Sequence, residues 1–215
     1  MQALAADSLA ADDATGWFER LYAAAAGDPA RISWADLEPN SHLVGWLDRN
    51  PVAPAARVLV PGCGLGDDAT LLATRGARVC AFDVSPTAVE WARRRHPRAP
   101  VEWRTADLLE LPEEWRGAFA LVAEVYTLQC LPPPERAQAI AQLAACVAPG
   151  GRLVAVGRLR DSADAPAGPP WPLTTTELES FTRHGLAAGD LLDTYDDEDP
   201  PVRRFVASYS APLSA

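Results

Sequence analysis

One segment constrains this chain more than any other: Arg57-Val58-Leu59-Val60-Pro61-Gly62-Cys63-Gly64-Leu65-Gly66-Asp67-Asp68. Its valine-rich opening reads as a strand buried on both faces. Three alternate glycines follow, which permit tight turns and close backbone approach. A helix, DDATLLATRG, then begins, and its first N–H groups have no partner within the helix. The same alternation recurs downstream. ARVCAFD reads as a strand, and SPTAVEWARRRHP as a helix with Ser85 at its N-cap and Pro86 at its first position. VEWRTAD and GAFALVAEVY read as further strands. PPPERAQAIAQLAACVAPGG reads as a helix ending in a turn, and RLVAVGRL as a fifth strand. Strands alternating with helices mean an α/β fold with a parallel sheet and right-handed crossovers.

Residues 1–12, rich in Ala and Asp, are expected as a disordered tail. A single domain is expected over 13–215. It divides into a helical cap at 13–55, a cofactor-binding core at 56–160, and a C-terminal helix with a strand pair at 161–215. Trp17, Phe18, Leu21 and Tyr22 recur at helical spacing in the cap, and SHLVGWLDR forms its second helix. LTTTELESFTRHGL is a capped helix. AAGDLLDTYDD and PVRRFVASYS are too close for a crossover helix, so they must pair antiparallel.

The 19 basic residues are all arginine, against 29 acids, giving a net charge of −10. Such a surface repels nucleic acid and anionic membranes. The expected partner is a small molecule, with no nucleic acid and no membrane. Cys63, Cys80, Cys130 and Cys146 lie far apart, which argues against a disulfide framework or a metal site. The opening residues carry acids and no base, unlike a secretory signal. A cytoplasmic location is expected.

The glycines at 62, 64 and 66 depart from the dinucleotide fingerprint, with Asp67 where its third glycine would stand. Asp67 and Asp68 also oppose a bound phosphate and suit a cationic or neutral ligand. Asp83 ends the second strand 21 residues past Gly62, near the spacing of an acid that binds ribose hydroxyls. Asp107 ends the third strand in the same way. An acid at the carboxyl end of such a strand faces the ligand crevice.

With these residues the chain resembles the class I S-adenosylmethionine-dependent methyltransferases, over about residues 15–210. The resemblance implies a Rossmann-like α/β fold. Its seven-stranded, mostly parallel sheet has a reversed last strand, helices on both faces and a helical N-terminal cap. It implies S-adenosylmethionine as cofactor and S-adenosylhomocysteine as product, held by Gly62, Cys63, Gly64, Gly66, Asp67, Asp83, Val84, Ala106, Asp107, Leu108 and Glu124. Within the family, VLVPGCGLGDD with FDVSPTAVEWA looks most like the thiopurine and thiol methyltransferase branch. Val125-Tyr126-Thr127 falls where that branch places a Tyr-Thr pair.

Methyl transfer requires alignment of a nucleophile and exclusion of water. None of His42, His96 and His184 stands out as a general base, which favours sulfur or another soft nucleophile, an amine or a carboxylate. Glu124 and Tyr126 end the fourth strand and are the catalytic candidates, as positioning groups. Trp17, Tyr22, Trp34, Tyr126 and Trp171 are candidates for the substrate pocket, with Trp171 in its Pro-rich loop the most exposed of them. Core packing is the competing reading for the cap aromatics. Arg203 and Arg204 point to opposite faces, and ion pairs with Asp196 to Asp199 compete there with a substrate carboxylate. The run Arg93-Arg94-Arg95-His96 is read as structural charge at a helix end. The alternatives are a small-molecule O- or N-methyltransferase, a nicotinamide-dependent oxidoreductase and a non-catalytic cofactor-binding protein.

Overall fold

A computed structural model describes residues 2–213 apart from 162–165 and 167. Its strands are ordered β3-β2-β1-β4-β5-β7-β6 in a seven-stranded sheet. By compactness the chain divides into two units, Met1–Glu110 and Leu111–Ala215, where the sequence reading expected one domain.

The first unit contains α1 (Gln2–Leu9), α2 (Gly16–Ala25), α3 (Ser41–Arg49), β1 (Arg57–Val60), α4 (Asp67–Thr74), β2 (Arg78–Asp83), α5 (Pro86–Arg95) and β3 (Val101–Thr105). The apolar residues of β1 and β2 are buried, as their valine-rich sequence requires. Parallel register sets Val60 beside Ala81 and Asp83 beside Thr105. The glycine loop, Asp83 and the segment from Ala106 therefore leave the sheet along one edge.

The disordered tail expected at 1–12 is corrected: α1 is helical, with Ala5 and Ser8 buried. Its alanines favour a helix, and Arg20 of α2 donates to the Leu4 carbonyl at 3.1 Å.

Polar contacts fasten the cap helices. Ser85 caps α5 by accepting from Ala88 N–H at 3.0 Å. Glu19 of α2 accepts from the Ser85 hydroxyl at 2.6 Å, the Thr87 hydroxyl at 2.6 Å and Thr87 N–H at 3.1 Å. An acid thus sits on the positive end of α5. Although burial opposes it, these hydrogen bonds hold the Glu19 carboxyl below its ordinary range. Asn40 caps α3 through His42 and Leu43 N–H, both at 3.1 Å, and donates its own N–H to Asp68 of α4 at 2.8 Å.

The second unit contains β4 (Phe119–Val125), α6 (Pro133–Cys146), β5 (Val147–Arg158), α7 (Thr175–Arg183), β6 (Ala187–Tyr195) and β7 (Arg203–Ser210). β4 and β5 are parallel, while β7 runs antiparallel to both β5 and β6. The last strand in the sequence is therefore the reversed one. Thr174 and Glu177 form the capping box that starts α7. Phe181 of α7 packs on Tyr209 of β7, with ring centroids 4.7 Å apart.

Candidate functional site

All three loop glycines take positive φ: +55° at Gly62, +50° at Gly64 and +89° at Gly66. Backbone contacts fix the path. Cys63 N–H donates to Phe82 O at 2.8 Å, and Gly64 N–H to Asp83 Oδ2 at 3.0 Å. Arg95 of α5 grips the loop from outside, donating to Leu65 O at 3.0 Å and to both oxygens of Asp67 at 2.7 and 3.0 Å. The basic run therefore has a specific structural task, and Arg93 likewise donates to Trp103 O at 2.7 Å.

Gly66 has a second requirement. A Cβ there would stand 2.5 Å from the Trp103 ring and 3.1 Å from Ala92 Cβ. Gly66→Ala is expected to lose about 1–3 kcal/mol to overpacking, on top of about 1–2 kcal/mol for a left-handed Cβ. Gly76 has the same φ but nothing within 4 Å. Gly76→Ala should cost only the backbone part, and urea unfolding of the two variants separates the effects.

Asp83 is buried and works in two directions. Oδ2 takes Gly64 N–H, and Oδ1 takes Ser85 N–H at 2.9 Å. It ties the glycine loop to the start of α5. Burial pushes its carboxyl up to about 6, against the pull of these hydrogen bonds. A carboxylate has about four lone-pair sites, so acceptor capacity remains for ligand hydroxyls. Val84 is half-buried beside it. Ala106 N–H donates to Asp83 O at 3.1 Å, bringing the Ala106-Asp107-Leu108 segment alongside. Asp107 Oδ1 accepts from Leu109 N–H at 2.8 Å, and Leu108 is buried.

The two acids opening α4 have other partners. Asp67 is held by Arg95, with His96 Nε2 at 3.7 Å, and Asp68 by Asn40 N–H. Burial raises Asp68 to about 6. The Cys63 thiol is pushed up by burial and by Asp83, which makes it a poor nucleophile.

The cap aromatics form one cluster. Trp34 Nε1–H donates to the Tyr22 hydroxyl at 2.9 Å. That hydroxyl lies over Gly64, 3.1 Å from where a Cβ would stand. Tyr22 is buried with Leu65, Ala88 and Trp91, and Trp17 is buried against Phe18 and Trp34. Trp34 is the half-buried member of the three.

In the second unit, Glu124 is 1% exposed. Its Oε1 accepts from Thr127 N–H at 2.8 Å and Leu128 N–H at 2.9 Å, closing the turn after β4. Tyr126 has φ +61°, and the Arg204 guanidinium stands 5.2 Å from its ring centroid. Arg204 is paired with Asp196 and Glu198, and Arg203 with Asp161 and Asp193. Arg204 thus makes the ion pairs expected with the acids at 196–199, while Arg203 pairs elsewhere, with the acids at 161 and 193.

Trp171 corrects another expectation. It is buried, not the most exposed aromatic. Its N–H donates to Gln129 O at 2.6 Å, and its carbonyl accepts from Arg136 at 3.0 Å. Sequence reasoning missed Arg136 altogether. This α6 side chain is 1% exposed and donates to Leu128 O, Leu131 O, Trp171 O and Glu177. Its only sequence signal is one arginine on the apolar face of a helix.

A family model described as a methyltransferase domain matches residues 58–151. Nodulation protein S of Rhizobium tropici is 33% identical over 140 residues, covering 64% of this chain and 58% of that protein. A probable thiol methyltransferase of Arabidopsis thaliana is 28% identical over 174 residues, covering 80% and 73%. The chain thus spans less than two thirds of the first relative and more than two thirds of the second. Among solved structures, the N-methyltransferase NodS from Bradyrhizobium japonicum WM9 contains S-adenosyl-L-homocysteine. It superposes with a TM-score of 0.69 at 22% identity, over 89% of this chain and 98% of that one. No helix among the described residues is long and apolar enough to cross a membrane. Residues 58–151 thus match a methyltransferase domain, and the chain shares its fold with a solved structure of an N-methyltransferase.

Proposed function

We propose that this protein transfers a methyl group from S-adenosylmethionine to a small-molecule acceptor, with a thiol as the favoured class. The observation that carries the reading is Asp83, buried at the end of β2 and joined to Gly64 N–H. Its spare lone pairs suit the ribose hydroxyls. Gly62, Gly64 and Gly66 allow close approach of the backbone, and the Ala106-Asp107-Leu108 segment suits the adenine. The acids Asp67 and Asp68 disfavour a phosphate here, and the cofactor carries none. Both have protein partners, so their part is to fix the loop and the cap rather than to hold ligand. Bound there, the cofactor supplies an electrophilic methyl on a sulfonium. The chain has to orient the acceptor and exclude water, effects worth up to about 7–11 kcal/mol together.

The thiol preference is supported by the Arabidopsis relative, named a probable thiol methyltransferase. A thiol also releases its proton more readily than an alcohol. The half-buried Trp34 of the cap is the aromatic proposed to face the acceptor.

A labelled-methyl assay against thiols, selenols, phenols and amines tests the proposal. Label in the thiol products is the expected result. Label confined to amines or phenols would replace the acceptor class. NADH binding without stabilisation by S-adenosylhomocysteine would overturn the activity.

A further inference from the structure

Two acids meet at the start of α5 with one residue between them. Ser85 gives its N–H to Asp83 Oδ1 at 2.9 Å and its hydroxyl to Glu19 Oε2 at 2.6 Å, while its Oγ accepts from Ala88 N–H at 3.0 Å. Its backbone and its side chain are thereby both fixed, and it is fully buried. Glu19 comes from α2, 66 residues earlier, and also takes the Thr87 hydroxyl and N–H at 2.6 and 3.1 Å. Capping does not require it, because Ser85 already caps α5 through its own Oγ. A half-buried carboxylate brought from another helix therefore does something that capping leaves undone.

The same helix reaches the other partner of Asp83. Tyr22 follows Glu19 on α2, and its hydroxyl lies 3.1 Å from where a Gly64 Cβ would stand. Gly64 N–H is the donor to Asp83 Oδ2. Thus α2 rests on both backbone donors that orient the carboxylate: Ser85 through Glu19, and Gly64 through Tyr22. The last torsion of an aspartate is broad, so its carboxylate keeps one plane only while both donors stay in place. The titratable groups facing Asp83 are Glu19 and the Cys63 thiol of the glycine loop. Burial and Asp83 itself push the thiol up, so it is neutral near pH 7. The like charge of Glu19 adds to the burial that lifts Asp83 to about 6.

We propose that Glu19 is a positioning residue for the cofactor: by holding Ser85 it sets the plane of the Asp83 carboxylate, and so couples the seating of the cap helix α2 to cofactor binding. The inference rests on the reading of Asp83 as the acceptor of the ribose hydroxyls and deepens it. Every group involved, on α2, the glycine loop, β2 and α5, belongs to the first unit. Because such coupling is reciprocal, bound cofactor favours the seated helix as much as the seated helix favours cofactor.

The test is calorimetric binding of S-adenosylhomocysteine to the wild type, Glu19→Ala, Glu19→Gln, Asp83→Asn and the double variant Glu19→Ala with Asp83→Asn. Glu19→Ala should weaken binding about tenfold at pH 7. In the Asp83→Asn background the same change should weaken it less than about twofold, because the group it positions is gone. Equal losses in the two backgrounds, or no loss in the first, would make Glu19 merely structural and overturn the proposal. Glu19→Gln gives a readout that a loosened fold does not move. Its amide oxygen accepts from Ser85 and from Thr87 N–H while its NH₂ donates to the Thr87 hydroxyl, so the seat survives and only the charge goes. Without that like charge Asp83 should ionise at lower pH, and the fall in affinity between pH 7 and pH 5 should be about threefold smaller than in the wild type. A fall of unchanged size also overturns the proposal. Wild-type protein that fails to bind S-adenosylhomocysteine at either pH would overturn the cofactor reading and this one with it, whereas the other failures remove Glu19 alone.

Discussion

Asp83→Asn is expected to weaken S-adenosylhomocysteine binding about tenfold to hundredfold, or about 1.4–3 kcal/mol. The carboxylate accepts from Gly64 N–H on one oxygen and Ser85 N–H on the other. An asparagine must point its NH₂ at one of these donors, so the loop loses a fixed contact as well as a charge. Hydroxyl donors of a ligand favour the ionised form. With a carboxyl near 6, affinity for the wild-type protein should therefore fall as pH drops from 7 to 5. That slope should vanish in Asp83→Asn. The sign for stability is opposite. Asp83 holds its proton more tightly folded than unfolded, so its contribution is complete below about pH 4 and lost as pH rises through about 6. Calorimetric titration at three pH values checks the first claim. Unchanged affinity would remove Asp83 from the ligand site.

The sequence made the elements legible wherever a local rule governs them. SHLVGWLDR is α3 residue for residue, Ser85 and Pro86 open α5, and Thr174 with Glu177 opens α7. Each depends on neighbours within one helical turn, which is where propensity and capping act. The site was legible only in part, for the same reason. Alternate glycines and an acid at a strand end are local patterns. Partners distant in sequence leave no periodic trace. Glu19 reaches Ser85 across 66 residues, and Arg95 reaches Asp67 across 28. Asp67, read as a ligand group, is thereby turned to structure. Trp171 sits in a Pro-rich loop whose composition signals exposure, yet Gln129 and Arg136 hold it down. The tail at 1–12 failed differently: alanine counts for helix as readily as for disorder, and packing of Ala5 decides.

Arg136→Met should be among the most destabilising substitutions in the second unit, by about 3–5 kcal/mol in urea unfolding. The guanidinium reaches Leu128 and Leu131 in the turn after β4, Trp171 in the loop before α7, and Glu177 in the first turn of α7. Methionine fills the volume but leaves three carbonyls and a carboxylate without their donor. Arg136→Lys should recover only a fraction, since one ammonium cannot span groups that a planar fork reaches together. Glu177 retains its bonds to Thr174 at 2.8 and 3.0 Å, so Glu177→Gln should cost much less, about 1 kcal/mol. The double substitution Arg136→Met with Glu177→Gln discriminates further. If the ion pair were the main content of Arg136, removing both charges would restore much of the loss. Three of its four partners are carbonyls, so the double variant should remain nearly as unstable as Arg136→Met alone. Because Leu128 belongs to the turn that Glu124 closes, loosening it should also disturb that acid. In Arg136→Met, loss of the nearby positive charge should raise the Glu124 carboxyl, while water admitted to the turn should lower it. A downward shift measured by carboxyl NMR would identify hydration as the stronger effect and Arg136 as the group that keeps Glu124 dry.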